Sequence, residues 1–168
     1  MNSQEEQYAL SLPYPSASNV KKNEAYGNMI LHVYAGEDSE MSAITQYTYQ
    51  VLYAGEQSAE AARAFMGIAK VEMKHLAILG NLVKKLGVDP QYRTLYKGKP
   101  YFWNGAFVEY NKTLDRMILE DIATEKAAID GYESLIAQID DEAVTAILKR
   151  IVMDEEHHIA ILAGLFKV

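Results

Sequence analysis

Glu72-Met-Lys-His75, set inside the run from Phe65 to Leu86, is the stretch that decides how this chain is read. Phe65, Ile68, Glu72, His75, Leu79, Leu82 and Leu86 recur at alternating steps of three and four, which is one face of an α-helix. The two middle positions of this apolar face are a carboxylate and an imidazole. An ionised carboxylate buried there is costly unless it is paired or holds a metal. The same device returns as Glu155-Glu-His-His158, inside the stripe Leu148, Ile151, Glu155, His158, Leu162, Leu165. Positions i and i+3 share a helix face, so each copy presents one oxygen and one nitrogen donor in the same direction.

Upstream of each copy a lone glutamate sits on another helical stripe. Glu40 belongs to Glu37, Glu40, Ile44, Tyr47, Val51, Ala54, and Glu125 to Leu114, Ile118, Asp121, Glu125, Ala128, Tyr132, Leu135, Ile139. Four long helices are predicted: about Ser39 to Tyr53, Ser58 to Leu86, Asn104 to Ile139, and from the turn Asp140-Asp141-Glu142 to the end of the sequence. Ser39, Ser58 and Asn104 offer capping oxygens. Gly87 stands where a left-handed helix end is wanted, with Pro90 beyond it. The break Ala54-Gly55-Glu56-Gln57 is short and makes its helices antiparallel neighbours. Residues 88–104, rich in Tyr, Lys, Gly and Pro, are long enough to cross the bundle end to end.

The predicted fold is therefore all-α: a four-helix bundle of two antiparallel helical hairpins joined by one long crossover. It occupies residues 23–168 and includes a short helix from Asn23 to Tyr34. An extended arm, residues 1–22, precedes it, because Leu12-Pro13-Tyr14-Pro15 favours a polyproline-like path. No segment of β period is expected to compete. The six site residues are placed near the middle of their helices.

The formal net charge of −7 argues against a nucleic-acid partner. Cysteine is absent, which removes disulfides, zinc ribbons and iron–sulfur clusters and fits a cytoplasmic protein. No apolar run is long enough to span a membrane. The polar, acidic start Met1 to Tyr8 predicts no secretory leader.

One Glu from each of two helices plus Glu-x-x-His from two others is a known way to build a two-metal centre in a helix bundle. Glu40, Glu72, His75, Glu125, Glu155 and His158 are thus the candidate ligands of two metal ions. Oxygen and imidazole donors suit iron or manganese, and the lack of soft sulfur argues against copper(I). Tyr47 and Tyr132 lie two turns beyond Glu40 and Glu125 on the same faces. They read either as redox-active or hydrogen-bonding groups beside the metals, or as ordinary buried tyrosines. Asp121 and Asp154 could each accept the free N–H of a metal-bound histidine, or serve as exposed or cap-like acids. His157 is expected to face solvent. The aromatic stretch Tyr92 to Tyr110, with Trp103, reads as crossover packing or a subunit contact.

Glu40-Met-Ser-Ala-Ile-Thr-Gln-Tyr47, Glu72-Met-Lys-His75, Asp121-Ile-Ala-Thr-Glu125 and Asp154-Glu155-Glu-His-His158 together resemble the ligand segments of the ferritin-like superfamily, above all bacterioferritin and rubrerythrin. The resemblance spans about residues 37–166. It implies a ferritin-like bundle, with Glu72 and Glu155 bridging the two metals. It also implies a rubrerythrin-like oxidoreductase that acts on H2O2 or O2 with iron, and manganese as the second choice. Ala128 stands where rubrerythrins carry a further glutamate, and the four-cysteine rubredoxin set is missing, so an external electron donor is expected. The sequence stops after the fourth helix, unlike the chains of ferritin storage cages. The start, including Tyr34-Ala-Gly36 and Glu40, also resembles manganese catalases and related spore-coat proteins. The alternatives are thus a di-manganese catalase, or a non-enzymatic iron-binding or structural protein. A homodimer is expected.

Overall fold

The structure, a computed structural model, describes residues 7–166. The first six residues of the predicted arm and the last two of the predicted fourth helix lie outside the described residues. Five α-helices follow the arm: α1 (Glu24–Ala35), α2 (Glu40–Gln57), α3 (Ala59–Lys85), α4 (Leu114–Gln138) and α5 (Glu142–Gly164). The last four form the bundle. The α2/α3 and α4/α5 pairs are the hairpins; α3 packs on α5 and α2 on α4, while α1 closes one end against α2, α3 and α4. No helix among the described residues is long and apolar enough to cross a membrane.

Helix starts follow the capping chemistry in part. Ser39, Ser58 and Asp141 accept from backbone N–H groups of the turns they open, and Gly87 adopts φ +97° just after α3. Two boundaries differ from expectation. The predicted break at residues 54–57 is helical, so α2 runs to Gln57 and Ser58 alone separates it from α3. Asn104 caps only a 3-10 turn at Gly105–Phe107, and α4 begins later, after Thr113. Thr113 makes no side-chain cap; Gln57 Oε1 instead accepts the Leu114 N–H from across the hairpin, at 2.9 Å.

The crossover explains the late start of α4. It climbs along α2 from bottom to top: Trp103 Nε1 donates to Ser42 Oγ, the Glu109 N–H to Gln46 Oε1, and Gln57 Nε2 to the Lys112 carbonyl. The Glu109 N–H is thereby spent on a side chain of α2 instead of on a helical ladder. A two-stranded antiparallel hairpin, β1 (Arg93–Tyr96) and β2 (Lys99–Phe102), sits at the foot of this climb. This short hairpin was not foreseen, but it stays within the crossover and does not compete with the bundle. Lys97 and Gly98 both take positive φ, 50° and 74°, as a two-residue type I′ hairpin turn requires. Tyr92 stacks on Tyr34 of α1, so part of the aromatic stretch is crossover packing.

The apolar core falls into two clusters. One, at the α1 end, includes Leu79, Leu82, Leu86, Leu135, Ile147 and Ile151. The other, at the far end, includes Phe65, Ile68, Met117, Ile118 and Leu162. Between them on α3, α4 and α5 lies a layer of ionisable side chains. Nothing in packing alone would place one there, since burying a charge opposes folding.

Candidate metal centre

Glu72, His75, Glu125, Glu155 and His158 supply this layer from α3, α4 and α5, and Glu40 joins them from the start of α2. Glu40, Glu72, His75, Glu125, Glu155 and His158 are each at most 4% exposed. Five sit well inside their helices. Glu40 does not: it is the first residue of α2, where the helix N-terminus favours a carboxylate. Ser39 caps the helix immediately before it.

The donors form two interlocked sets. Glu40, Glu72, His75 and Glu155 bring one ligand atom each within 4.8 Å of one another, and so do Glu72, Glu125, Glu155 and His158. Glu72 and Glu155 belong to both. His75 Nδ1 stands 3.1 Å from Glu72 Oε2, 3.2 Å from Glu155 Oε1 and 3.6 Å from Glu40 Oε2. His158 Nδ1 repeats the pattern, 2.9 Å from Glu72 Oε1, 3.0 Å from Glu155 Oε2 and 3.6 Å from Glu125 Oε1. Two donors about 2.1 Å from one ion and at right angles would stand about 3.0 Å apart. Moreover, Glu40 Oε2, Glu72 Oε1 and Glu155 Oε1 are buried with no hydrogen bond. Oxygens this close to nitrogens, yet unbonded, point at a shared centre rather than at each other. The donor set therefore fits a pair of metal ions.

Without metal, protons take over part of the charge balance. Burial, aided by Glu72 and Glu155, raises the Glu40 carboxyl well above its ordinary range. Burial, with Glu72 beside it, pushes Glu125 up to about 8. For Glu72, burial opposes ionisation, but the His158 charge beside it prevails and holds it well below the usual range. Burial opposes charge on both imidazoles too, yet Glu155 and Glu40 around His75, and Glu72 around His158, raise both.

The tyrosines touch the outer carboxylates across the hairpins. Tyr47 Oη donates to Glu125 Oε1 at 2.5 Å and Tyr132 Oη to Glu40 Oε1. Each lies on the helix carrying one lone glutamate and reaches the other. Burial first, then the neighbouring carboxylates, raise both phenols well above their ordinary value. A narrow cavity of about 10 Å³ opens beside Glu40 and Glu125, lined also by Ala43, Thr124, Ala128 and Tyr132. That is room for about one water-sized molecule.

The two aspartates part company. Asp154 Oδ2 lies 3.1 Å from His75 Nε2. Asp121 meets neither histidine: its Oδ1 accepts from Gln46 Nε2 and Gln50 Nε2, both at 2.8 Å. It stands one turn before Glu125 and faces α2, whereas the outer nitrogen of His158 is covered by the Tyr8 carbonyl at 3.1 Å. Burial lifts Asp121 to about 7 despite the two amides. The buried face of α2 is also turned from the predicted stripe: Gln46 and Gln50 are inside, Ile44 and Val51 half-buried and Glu37 exposed. Sequence reasoning missed these glutamines, although their i, i+4 spacing was visible. It also missed Tyr14, whose hydroxyl lies 2.5 Å from Asp154 Oδ2 and 3.1 Å from His75 Nε2. Arg150, four residues before Asp154 on α5, forms an ion pair with it at 2.7 Å. His157 is half-buried, with Nε2 3.1 Å from the Gln7 carbonyl.

Comparison with curated proteins finds no significant match. Among solved structures, a manganese catalase from Anabaena PCC7120 superposes with a TM-score of 0.83 at 20% identity, over 92% of this chain and 76% of that one. A bacterioferritin from Desulfovibrio desulfuricans, whose structure describes a diiron site, gives a TM-score of 0.66 at 22% identity, over 84% of this chain and 80% of that one. Both likenesses establish the ferritin-like bundle. The rubrerythrin family profile matches residues 35–166, most of the chain and all six donors, so this protein belongs to the rubrerythrin family.

Proposed function

We propose that this protein is a di-iron oxidoreductase that reduces hydrogen peroxide or O2. The observation that carries the proposal is the pair of donor sets sharing Glu72 and Glu155 beside a cavity of small-molecule size. Glu40 and His75 would complete one ion's shell, Glu125 and His158 the other's. Four carboxylates match the charge of two divalent ions, so the loaded layer is formally neutral and its burial ceases to be costly. A bound iron pair supplies the two electrons that peroxide reduction consumes.

The remaining roles fall to this chain's own groups. Tyr47 and Tyr132 orient Glu125 and Glu40 by donating to their outer oxygens, and their raised pKa values keep those protons in place. The small side chains of Ala43 and Ala128 leave an approach to the outer carboxylates. The two apolar clusters exclude bulk water on either side. An external electron donor, a cytoplasmic setting and a homodimeric state belong to the same reading.

The test is peroxide consumption by iron-loaded protein with and without a reductant. Consumption that needs stoichiometric reductant supports the proposal, and none under either condition overturns it. Iron oxidation far beyond two ions per chain would favour storage instead. A second reading, a di-manganese catalase, draws support from the likeness to the Anabaena structure, which reaches past the start of the family match to 92% of the chain. It requires oxygen evolution from manganese-loaded protein with no reductant.

A further inference from the structure

The arm before α1 reaches the outer nitrogens of both site histidines. Tyr14 Oη lies 3.1 Å from His75 Nε2 and 2.5 Å from Asp154 Oδ2. The Tyr8 carbonyl lies 3.1 Å from His158 Nε2. Arg150, 5% exposed, fastens the arm: its Nη2 donates to the Leu10 and Leu12 carbonyls at 2.8 and 3.0 Å, and its Nε to Leu12 at 3.1 Å. The Leu10 N–H donates to Asp154 Oδ1 at 2.9 Å, and the Arg150 guanidinium lies 4.4 Å from the centre of the Tyr14 ring.

These contacts decide which imidazole nitrogen faces the cage. A carbonyl oxygen can only accept, so His158 Nε2 must carry a hydrogen. Tyr14 has one hydroxyl proton, and the 2.5 Å contact gives it to Asp154. What remains toward His75 Nε2 is two acceptors, the Tyr14 lone pair and Asp154 Oδ2, so this nitrogen carries a hydrogen as well. Both neutral imidazoles are thereby left with their lone pair on Nδ1, the atom that faces Glu72 and Glu155.

We propose that the arm around Tyr8–Tyr14 is a positioning clamp that holds both histidines with Nδ1 turned to the metal ions. This rests on the two-metal reading above. The clamp couples an element remote in sequence to both ions at once: Tyr14 acts on the His75 ion, the Tyr8 carbonyl on the His158 ion, and Arg150 on both by seating the arm. Groups that orient a metal-bound histidine typically govern affinity by 10–100-fold.

Zinc, which is diamagnetic, serves as the probe in the full-length protein. Long-range ¹⁵N correlation spectra of the zinc-loaded protein should show both histidines metallated at Nδ1 and protonated at Nε2. Chelator competition should show Tyr14→Phe weakening one of two zinc ions about 10-fold and shifting only the His75 signals. Arg150→Gln should weaken both ions by about 10–100-fold and also shift the His158 signals, which a purely local effect through Asp154 would leave alone. Arg150→Lys should partly restore them. If Arg150→Gln does not fold, Tyr14→Phe decides, since it removes one hydroxyl. Metallation at Nε2, or both zinc ions held with wild-type affinity in Tyr14→Phe, overturns the clamp while the metal centre stands. Wild-type protein that binds no zinc, manganese or iron refutes the metal centre itself.

Discussion

Loading the metal-free protein with two divalent ions should expel close to four protons per chain at neutral pH. The count comes from the buried layer. Glu40 and Glu125 retain protons because burial raises them, Glu125 to about 8, and His75 and His158 retain theirs because carboxylates surround them. Glu72 is already ionised. Two divalent ions bring the charge that the four protons had supplied, and proton and metal compete for the same atoms. Overall affinity for the pair should then rise by up to about four decades per pH unit below pH 7, with the slope flattening near pH 8 as Glu125 ionises unaided. Stability follows with a definite sign. A raised carboxyl stabilises the metal-free fold fully below about 4.5, and that contribution is lost as pH climbs through its folded value; the raised imidazoles lose theirs above about 6.5. The metal-free protein should therefore weaken from about pH 5 to 8 while the loaded form strengthens, so their melting midpoints diverge. Calorimetric titration with zinc or manganese, in buffers of different ionisation enthalpy, counts the protons directly. Fewer than about one proton per chain at pH 7, or equal midpoints at every pH, would refute the reasoning.

Glu72→Ala should impair both metal positions, because its two oxygens face both histidines, whereas His75→Ala should lower stoichiometry toward one ion per chain; metal analysis after desalting separates them. Asp121→Asn should keep its low-pH stability and gain about 1–3 kcal/mol at pH 8 in urea melts. The native carboxyl, raised to about 7, loses its stabilising proton as pH rises past that value, and an amide has none to lose. Ala128→Leu should fill the approach beside Glu40 and Glu125 and slow peroxide turnover at least about tenfold, with metal content unchanged. Leu79→Ala, in the α1-end cluster, should cost about 3 kcal/mol by leaving a cavity, and chemical denaturation measures it.

The sequence by itself determined the bundle and its polar layer. Helical period is a local property: Phe65 to Leu86 and Leu148 to Leu165 each announce a face, and Glu-x-x-His on such a face allows few arrangements. Gly87 and the capping serines, likewise local, marked their boundaries. What lay beyond reach depends on partners distant in sequence. The start of α4 at Leu114 was set by residues 103–112 bonding along α2 and by Gln57 capping from the opposite helix. Asp121 turned to Gln46 and Gln50 because α2 sits rotated against α4, which no single stripe encodes. The hairpin at 93–102 left a faint local trace, two aromatic-containing runs around Lys97-Gly98, that the surrounding loop composition obscured. Tyr14 and the Tyr8 carbonyl meet the histidines, and Arg150 meets the arm, only after the arm has folded back across α3 and α5. A periodic pattern records which way a side chain faces on its own helix. Which atom it meets there is decided by packing.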